Sequence, residues 1–124
     1  MNNTKKITKE ALRGFTGSME FYSEPLFPGV KFTEGVKFLM DNGASWLVTD
    51  ALAEMCYNLE LKRMRPAFTV IKFDPFAADL EVTYEIECVD GKEVKLVRKY
   101  DITDLETPVK MYFTDNTLLL NTEY

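Results

Sequence analysis

The residues best suited to nucleophilic chemistry are two cysteines, Cys56 and Cys88, which lie far apart and form no C-x-x-C pair. The chain has no histidine, which is the commonest general base and a frequent ligand of catalytic zinc. A thiol becomes reactive when a nearby cation stabilises its thiolate, but Lys62 and Arg63 lie about two turns beyond Cys56 on a predicted helix. We therefore expect both cysteines to be reduced and buried in the core.

The acidic residues form no catalytic or metal-binding pattern. Three glutamates alternate on one face of a predicted strand, where lysines would keep them ionised and solvated: Glu81, Glu85 and Glu87. A second group lacks the ordered spacing and closing glutamate of a calcium loop: Asp101, Asp104 and Glu106. The glycines match neither the dinucleotide fingerprint nor the P-loop. The sequence therefore predicts no catalytic residue, metal or cofactor, and we expect a protein that is not an enzyme.

Two groups of residues are weak candidates for binding. Trp46 and Asp50 lie one turn apart on a predicted helix, so a ring and a carboxylate could line a small pocket, although a core tryptophan is the more ordinary reading. The stretch Lys62-Arg63-Met64-Arg65 is the one cationic cluster. Its three charged residues, Lys62, Arg63 and Arg65, could contact a phosphate or an acidic partner. The favoured interpretation is that they follow the negative end of a helix, where cations are stabilised.

Helices and loops are predicted for the first half of the chain, which positions these candidates. Helices are expected over residues 5–13, 34–42 and about 45–61. Thr8 and Thr33 stand where N-cap hydroxyls are favoured, and Gly14 and Gly43 stand where helices end. The third helix has apolar residues on more than one side, so it is expected to be buried. An aromatic loop is expected over residues 15–32, with a short extended piece around Met19–Tyr22.

Strands are predicted for the second half, over residues 68–73, 80–89, 93–100, 109–114 and 117–121. The turn signals Asp90-Gly91 and Asp115-Asn116 join neighbours, which is typical of an antiparallel sheet. The expected fold class is α+β, with N-terminal helices packed on one face of an antiparallel sheet of about four to five strands. We expect a single domain over residues 1–124, in which residues 1–14 form either a loosely held arm or a short helix.

The register of one hairpin follows from the requirement that apolar residues share a face. A two-residue Asp90-Gly91 loop would mix core and solvent residues on both faces of the sheet. A three-residue loop over 89–91, with Gly91 in the left-handed conformation, instead pairs apolar with apolar and glutamate with lysine. The predicted pairs are Ile86–Val94, Tyr84–Leu96, Glu85–Lys95 and Glu81–Lys99.

Composition narrows the classes of partner. The net charge is −5, whereas proteins that bind nucleic acid through phosphates carry a basic face. The 46% of hydrophobic residues supplies a core that a disordered chain would lack. Met1–Glu10 is polar and unlike a signal peptide, and the apolar runs are too short to cross a bilayer. We expect a cytoplasmic protein with a protein partner and without nucleic acid or membrane contacts; its oligomeric state is left open.

Several segments occur together in a familiar combination: FTGSMEFY over 15–22, FTEGVKFL over 32–39, GASWLV over 43–48, and the tail KMYFTDN over 110–116 with LLL over 118–120 and Glu123-Tyr124. The chain resembles a small family of uncharacterised bacterial proteins, a domain of unknown function, found on chromosomes, plasmids, conjugative elements and phages. Residues 58–97 diverge from it. The resemblance implies no site residue, but small proteins of mobile elements often act by binding host proteins, including defence nucleases.

Three functional hypotheses follow. The first is a non-catalytic protein-binding or regulatory protein of a mobile genetic element or phage, one form of which is an inhibitor of a host defence protein. The alternative is a small-ligand or nucleotide-binding domain with a pocket between the helices and the aromatic loop. An enzyme that uses carboxylates alone is the third and least favoured.

Overall fold

Alternating apolar residues build a mixed seven-stranded sheet in this computed structural model, which describes residues 6–17, 20–101 and 103–124. The strands are β1 (Phe21–Ser23), β2 (Lys31–Thr33), β3 (Pro66–Phe73), β4 (Glu81–Cys88), β5 (Glu93–Lys99), β6 (Val109–Thr114) and β7 (Thr117–Leu120). The helices are α1 (Lys9–Arg13), α2 (Glu34–Asp41), α3 (Ser45–Tyr57) and α4 (Leu59–Arg63), and a final 3₁₀ turn spans Asn121–Glu123. The strands lie in the order β1-β2-β7-β6-β3-β4-β5.

The core lies between α2, α3 and one face of the sheet, here called the inward face. Every second strand residue points to the same side, and the inward residues of β3, β4 and β6 are buried: Ile71, Phe73, Val82, Tyr84, Ile86, Val109 and Met111. Four apolar residues of α3 are buried as well: Leu47, Ala51, Leu52 and Met55. Trp46 of α3 contacts Phe73 of β3 ring to ring. The packing of this helix on the sheet is therefore as predicted.

The sheet is larger than the four to five strands predicted, because β1 and β2 extend it. Both strands come from the segment predicted to be mainly an aromatic loop; the predicted extended piece corresponds to β1, and Met19 lies outside the described residues. The sheet is also not purely antiparallel, because β2 pairs with β7 in parallel, with Phe32 opposite Leu118. Parallel neighbours need a long connection, so no local turn signal marks this pair.

The predicted helix over about 45–61 is in fact two helices, α3 and α4. Asn58 separates them in an extended conformation, φ −76° and ψ 102°. Its Oδ1 accepts a hydrogen bond from the Leu61 amide at 3.1 Å. Asparagine is a strong N-cap residue because its side chain can satisfy a free amide at a helix start. The break therefore has a local cause.

The other predicted helix ends agree with the structure, except for the start of α1 and the expected cap hydrogen bond of Thr33. Thr8 Oγ1 accepts a hydrogen bond from the Ala11 amide at 3.1 Å, and Gly14 ends α1. The helix predicted from residue 5 begins at Lys9, and residues 1–5 are outside the described ranges. Thr33 is the N-cap residue of α2, but its hydroxyl makes no cap hydrogen bond; it donates instead to Glu123 Oε1 at 2.6 Å.

The β4–β5 hairpin has the predicted register. Gly91 has φ 89°, and the Gly91 amide donates to the Cys88 carbonyl at 2.9 Å. All four predicted pairs are present: Ile86–Val94, Tyr84–Leu96, Glu85–Lys95 and Glu81–Lys99. The distribution of apolar and charged residues over two faces was therefore sufficient to determine the loop length.

α1 lies at one end of the sheet, beside the final 3₁₀ turn. Thr122 Oγ1 donates to the Leu12 carbonyl at 3.3 Å, Ile7 is buried, and Lys6 forms an ion pair with Glu106.

Helices within the described ranges are all too short or too polar to cross a bilayer.

Candidate functional site

The face of the sheet opposite the core, here called the outward face, is open to solvent. Each of its side chains on β3 to β7 is half-buried or exposed: Phe68, Val70, Lys72, Glu81, Thr83, Glu85, Glu87, Glu93, Lys95, Val97, Lys99, Lys110, Tyr112, Thr114, Thr117 and Leu119. One side of an antiparallel sheet commonly faces water and is then mainly polar. Here, however, apolar and aromatic residues are concentrated on β3, β6 and β7.

Three aromatic rings on this face contact one another and form what we call the aromatic cluster: Phe68, Tyr112 and Tyr124. The ring centroids lie 5.1 Å apart for Phe68–Tyr112, 5.4 Å for Phe68–Tyr124 and 5.3 Å for Tyr112–Tyr124. These separations and tilted or edge-to-face angles are those favoured by aromatic pairs. Tyr124 nevertheless remains 73% exposed. The cluster is therefore held in place by its own contacts while it faces solvent.

Strand register places further apolar residues beside the cluster. Tyr112 of β6 stands directly opposite Val70 of β3 and Leu119 of β7. Lys110, two residues before Tyr112 on β6, also contacts the cluster: its Nζ lies 5.8 Å from the Tyr112 ring centroid. The cluster is thus the centre of an apolar row that crosses three strands.

Charged residues border the aromatic cluster on the side of β4 and β5. A groove of about 460 Å³ runs there, lined on the outward face by Phe68, Val70, Glu85, Glu87, Glu93 and Lys95. Lys72 Nζ lies 2.7 Å from Glu85 Oε1, and this hydrogen bond is the main reason that the pKa of Glu85 is lowered. An apolar centre with a charged border is the usual anatomy of a protein-binding surface.

A pocket of about 600 Å³ lies at the α1 end of the sheet, and we call it the end pocket. Its walls are α1, the β3–β4 loop, the ends of β6 and β7, and the final 3₁₀ turn. The alternative hypothesis placed a pocket elsewhere, between the helices and the aromatic loop. At that junction Phe27 and Val30 are buried, Tyr57 is exposed, and the Phe27 ring lies 5.9 Å from that of Tyr57.

Trp46 and Asp50 are brought together through a third residue, Tyr100. The Tyr100 hydroxyl donates a hydrogen bond to Asp50 Oδ2, and the Tyr100 ring lies 4.9 Å from the Trp46 ring. Asp50 lines a cavity of about 350 Å³, which Trp46 does not line, together with Glu54, Tyr84, Arg98 and Tyr100. Of the predicted pair, Asp50 therefore lines a small cavity, whereas Trp46 contacts the Tyr100 ring and does not line it.

Two tyrosines of this cavity have perturbed acidity. Burial is the largest cause that raises the pKa of Tyr84, followed by the nearby Tyr100 and Glu54. Burial also raises the pKa of Tyr100 most, followed by its hydrogen bond to Asp50. Tyr84 is 0% exposed, and its hydroxyl has no hydrogen-bond partner in the described part of the protein. Arg98 neutralises Glu54 through contacts of 3.1–3.2 Å.

The cationic candidates lie apart from these sites. Lys62 and Arg63 occupy the last turn of α4, where the negative end of the helix dipole favours positive charge. Arg65 follows with φ 56°, and all three side chains are exposed. The structure therefore gives these residues a helix-end position and brings them to neither the aromatic cluster nor the lining of the end pocket.

The cysteines and the acidic groups form no reactive constellation in the described residues. Cys56 and Cys88 are free and buried, as predicted. Cys56 Sγ lies 3.8 Å from the Pro28 carbonyl. Within residues 6–17, 20–101 and 103–124, no group of three or more cysteine and carboxylate side chains is arranged to hold a metal ion.

Sequence reasoning missed the aromatic cluster, although part of the signal was present. In the predicted strands, Phe68 and Tyr112 alternate with the buried residues Thr69, Ile71, Met111 and Phe113, so they had to point outward. An aromatic residue at an outward position is a sign of a binding surface. Tyr124 could not be found in this way, because it joins the cluster only through the turn after β7.

Comparison with known proteins identifies the family. The chain belongs to a family of unknown function (DUF6876), whose sequence model matches residues 6–124. The resemblance to an uncharacterised domain is therefore confirmed over almost the whole chain. No match was found among curated proteins or among solved structures.

Proposed function

We propose that this protein is a non-catalytic binding protein that holds a protein partner on its aromatic cluster. The observation that carries the proposal is a group of three mutually packed rings on an open sheet face, of which Tyr124 is exposed and Phe68 and Tyr112 are half-buried. Tyrosine and other large aromatic residues supply much of the binding energy in protein interfaces. Rings that already support one another lose little side-chain freedom when a partner binds. Both effects favour the outward face as the docking surface.

The border of the cluster supports a protein partner over other classes. Charged residues of both signs surround the apolar row, including Glu87, Glu93 and Lys95 on one side and Lys110 on the other. Such a border favours specificity and orientation. Nucleic acid would require a predominantly basic face. The outward face of β3 to β7 instead carries four glutamates and four lysines: Glu81, Glu85, Glu87, Glu93, Lys72, Lys95, Lys99 and Lys110. The partner surface is expected to present an apolar projection between charged groups.

We propose that this protein belongs to a mobile element or phage and that its partner is a protein of the bacterial host, defence nucleases included. This part of the proposal comes from the resemblance of the chain to proteins of such elements. If it is right, expression of the protein in a bacterium that carries the targeted defence system should restore plaque formation by a restricted phage. Plating efficiency that stays unchanged across hosts with defined defence systems would argue against it.

Site-directed crosslinking tests the binding surface directly. A photoreactive phenylalanine analogue at position 124 should capture a defined protein in the host, and the same analogue at position 26 should not. Leu26 is a matched control because it is 69% exposed and lies outside the outward face. In affinity purification, Tyr112→Ala with Tyr124→Ala should reduce recovery of that protein at least tenfold, in line with a hot-spot loss of about 2 kcal/mol or more. Equal recovery with the double variant would reject the outward face.

A further inference from the structure

The end pocket has the composition of a small-molecule site rather than of a protein interface. Its volume of about 600 Å³ falls within the range of about 300–1,000 Å³ typical of ligand pockets. The accessible apolar part of its lining is provided by Leu12, Ala77 and Pro108, with the buried residues Phe73, Val109 and Leu120 behind them. Lys9 and Arg13 also line the pocket; they are one helical turn apart on α1, so that Lys9, Leu12 and Arg13 share one helix face. One wall is therefore an amphipathic helix surface.

The strands add two more cations in an unfavourable arrangement. Lys72 of β3 and Lys110 of β6 are directly opposite each other in the sheet, and both line the pocket. Like charges at directly opposite positions destabilise a sheet. The Glu85 carboxylate forms an ion pair with Lys72 and also attracts Lys110, and Lys110 Nζ lies 5.8 Å from the Tyr112 ring centroid. An anionic group between Lys110 and α1 would offset this repulsion.

The acidic residues of the pocket lie on its other side. Asp74 and Asp79 come from the β3–β4 loop, and Glu81 from the start of β4. Glu81 stands opposite Lys99 in the sheet, and Asp74 Oδ1 accepts a hydrogen bond from the Phe76 amide at 2.9 Å. The loop carboxylates can accept further hydrogen bonds from hydroxyl or amino groups. The pocket thus has a cationic wall, an apolar lining and an acceptor wall.

We propose that the end pocket binds a small ring-bearing organic phosphate, the chemical class of nucleoside monophosphates. The phosphate lies against Lys9, Arg13 and Lys110, since charge-assisted hydrogen bonds to phosphate are the strongest available there. The ring covers the apolar lining, and hydroxyl or amino donors of the ligand face Asp74 and Asp79. None of the three rings of the aromatic cluster lines this pocket, although Lys110 borders both sites, so the proposal goes beyond the protein-binding function.

An NMR titration of the full chain tests this assignment. Adenosine 5′-monophosphate should shift the backbone amide signals of α1, the β3–β4 loop and residues 107–110 in a saturable manner. Adenosine alone and inorganic phosphate alone should each bind at least about tenfold more weakly, because each lacks one half of the interaction. Equal binding of inorganic phosphate would identify a site for simple anions and overturn the proposal. Absence of shifts with any of the four common nucleoside monophosphates would overturn it as well.

Matched variants separate the pocket from general surface charge. Arg13→Ala and Lys110→Ala should each weaken the binding of adenosine 5′-monophosphate about tenfold, and Lys62→Ala should leave it unchanged because Lys62 is an exposed lysine outside the pocket lining. Ala77→Trp fills the pocket from the exposed loop and should abolish binding without unfolding the chain, as checked in the same spectra. Binding that survives Ala77→Trp would place the ligand elsewhere. Crosslinking at position 124 should be unaffected by Arg13→Ala and Ala77→Trp, which lie outside the aromatic cluster and its charged border, so the two proposals can fail separately.

Discussion

The Glu123 carboxylate accepts a hydrogen bond from the Gly35 amide at 3.2 Å, so the end of the chain caps the start of α2. The same carboxylate accepts from Thr33 Oγ1 at 2.6 Å and from the Leu120 amide at 3.1 Å. Negative charge is favourable at the N-terminus of a helix. Gly35 leaves space for this contact, because a Cβ there would lie 2.5 Å from both Glu123 Oε1 and Leu120 Cδ1. The Glu123 side chain therefore joins the start of α2 to the C-terminal segment through hydrogen bonds.

Removal of this cap should destabilise the fold. Glu123→Ala leaves the buried Thr33 hydroxyl and Gly35 amide without this acceptor, at an expected cost of about 1–3 kcal/mol. Glu123→Gln keeps an acceptor oxygen and should cost less. Gly35→Ala should cost about 1–3 kcal/mol through overpacking. Urea melts give these values, with Glu87→Gln on the outward face as the control expected to change stability by less than about 0.5 kcal/mol. A neutral Glu123→Ala would contradict the capping role.

The packing of α3 can be tested at Leu52, a residue of this helix whose side chain is buried. Leu52→Ala should lower the free energy of unfolding by about 2–5 kcal/mol, since it removes buried methyl groups and leaves a cavity. Leu59→Ala is the matched control, because Leu59 is 68% exposed on α4, and it should change stability by less than about 0.5 kcal/mol. A loss below about 1 kcal/mol for Leu52→Ala would mean that α3 packs differently.

The parts of the fold that could be predicted are those fixed by local pattern. The β4–β5 hairpin was predictable to the residue pair, because Gly91 and the alternation of glutamates with apolar residues leave one consistent register. The N-cap at Thr8 was predictable for a similar reason: its hydroxyl needs only the next turn of the chain. Both are decided within a few residues, where sequence spacing and spatial distance agree.

The parts that escaped prediction depend on partners distant in sequence. β1 and β2 have only three residues each and lie among glycines and prolines, so their alternation of apolar and polar residues is too short to predict a strand. β2 is a strand because β7 lies beside it, and Thr33 donates to a residue at the other end of the chain. The aromatic cluster is similar, since Phe68 and Tyr112 are outward by alternation but become a cluster only when β3 and β6 are neighbours.

The buried hydroxyl of Tyr84 should be a liability to the fold at neutral pH. An unsatisfied buried polar group costs about 1–3 kcal/mol, and in the described residues this hydroxyl has no hydrogen-bond partner. Tyr84→Phe removes it while keeping the ring, so we expect the variant to be about 1 kcal/mol more stable at pH 7. Thermal or urea melts measure the difference. A clear loss of stability would show that the hydroxyl makes a stabilising interaction.

Alkaline pH should destabilise the protein through Tyr84 and Tyr100. Their pKa values in the fold are raised above the ordinary value near 10, so above about pH 10 the unfolded chain loses these protons while the folded chain keeps them. The free energy of unfolding should therefore fall as pH rises above about 10, by at most about 1.4 kcal/mol per pH unit for Tyr84 and by less for half-exposed Tyr100. Tyr84→Phe should fall less steeply between about pH 9.5 and about pH 11.5 in urea melts. Parallel slopes for both proteins would contradict this account.

The last prediction separates binding from catalysis. The groups best placed for chemistry are Asp50 and Tyr100, which share a hydrogen bond beside a cavity, and the thiol of Cys56. If the protein acts by binding, Asp50→Asn, Tyr100→Phe and Cys56→Ala should each keep most of the activity in a host-phenotype assay, provided that the variant is folded. The removal of Tyr112 and Tyr124 side chains should abolish it, because those residues contribute contact area rather than chemistry. Partner recovery should fall in the same double variant and in none of the three single variants.

The contrary pattern is equally specific. If Asp50→Asn or Cys56→Ala abolished the phenotype while folding and partner recovery stayed intact, the group removed would be acting on a substrate. A carboxylate in that role would need a raised pKa to serve as a base near neutral pH, and a thiol would need a cation beside it. Tyr100→Phe would then distinguish a lost base from a lost hydrogen bond, because it removes the hydrogen bond and keeps the Asp50 carboxylate. Such a result would replace the binding function with a catalytic one centred on α3.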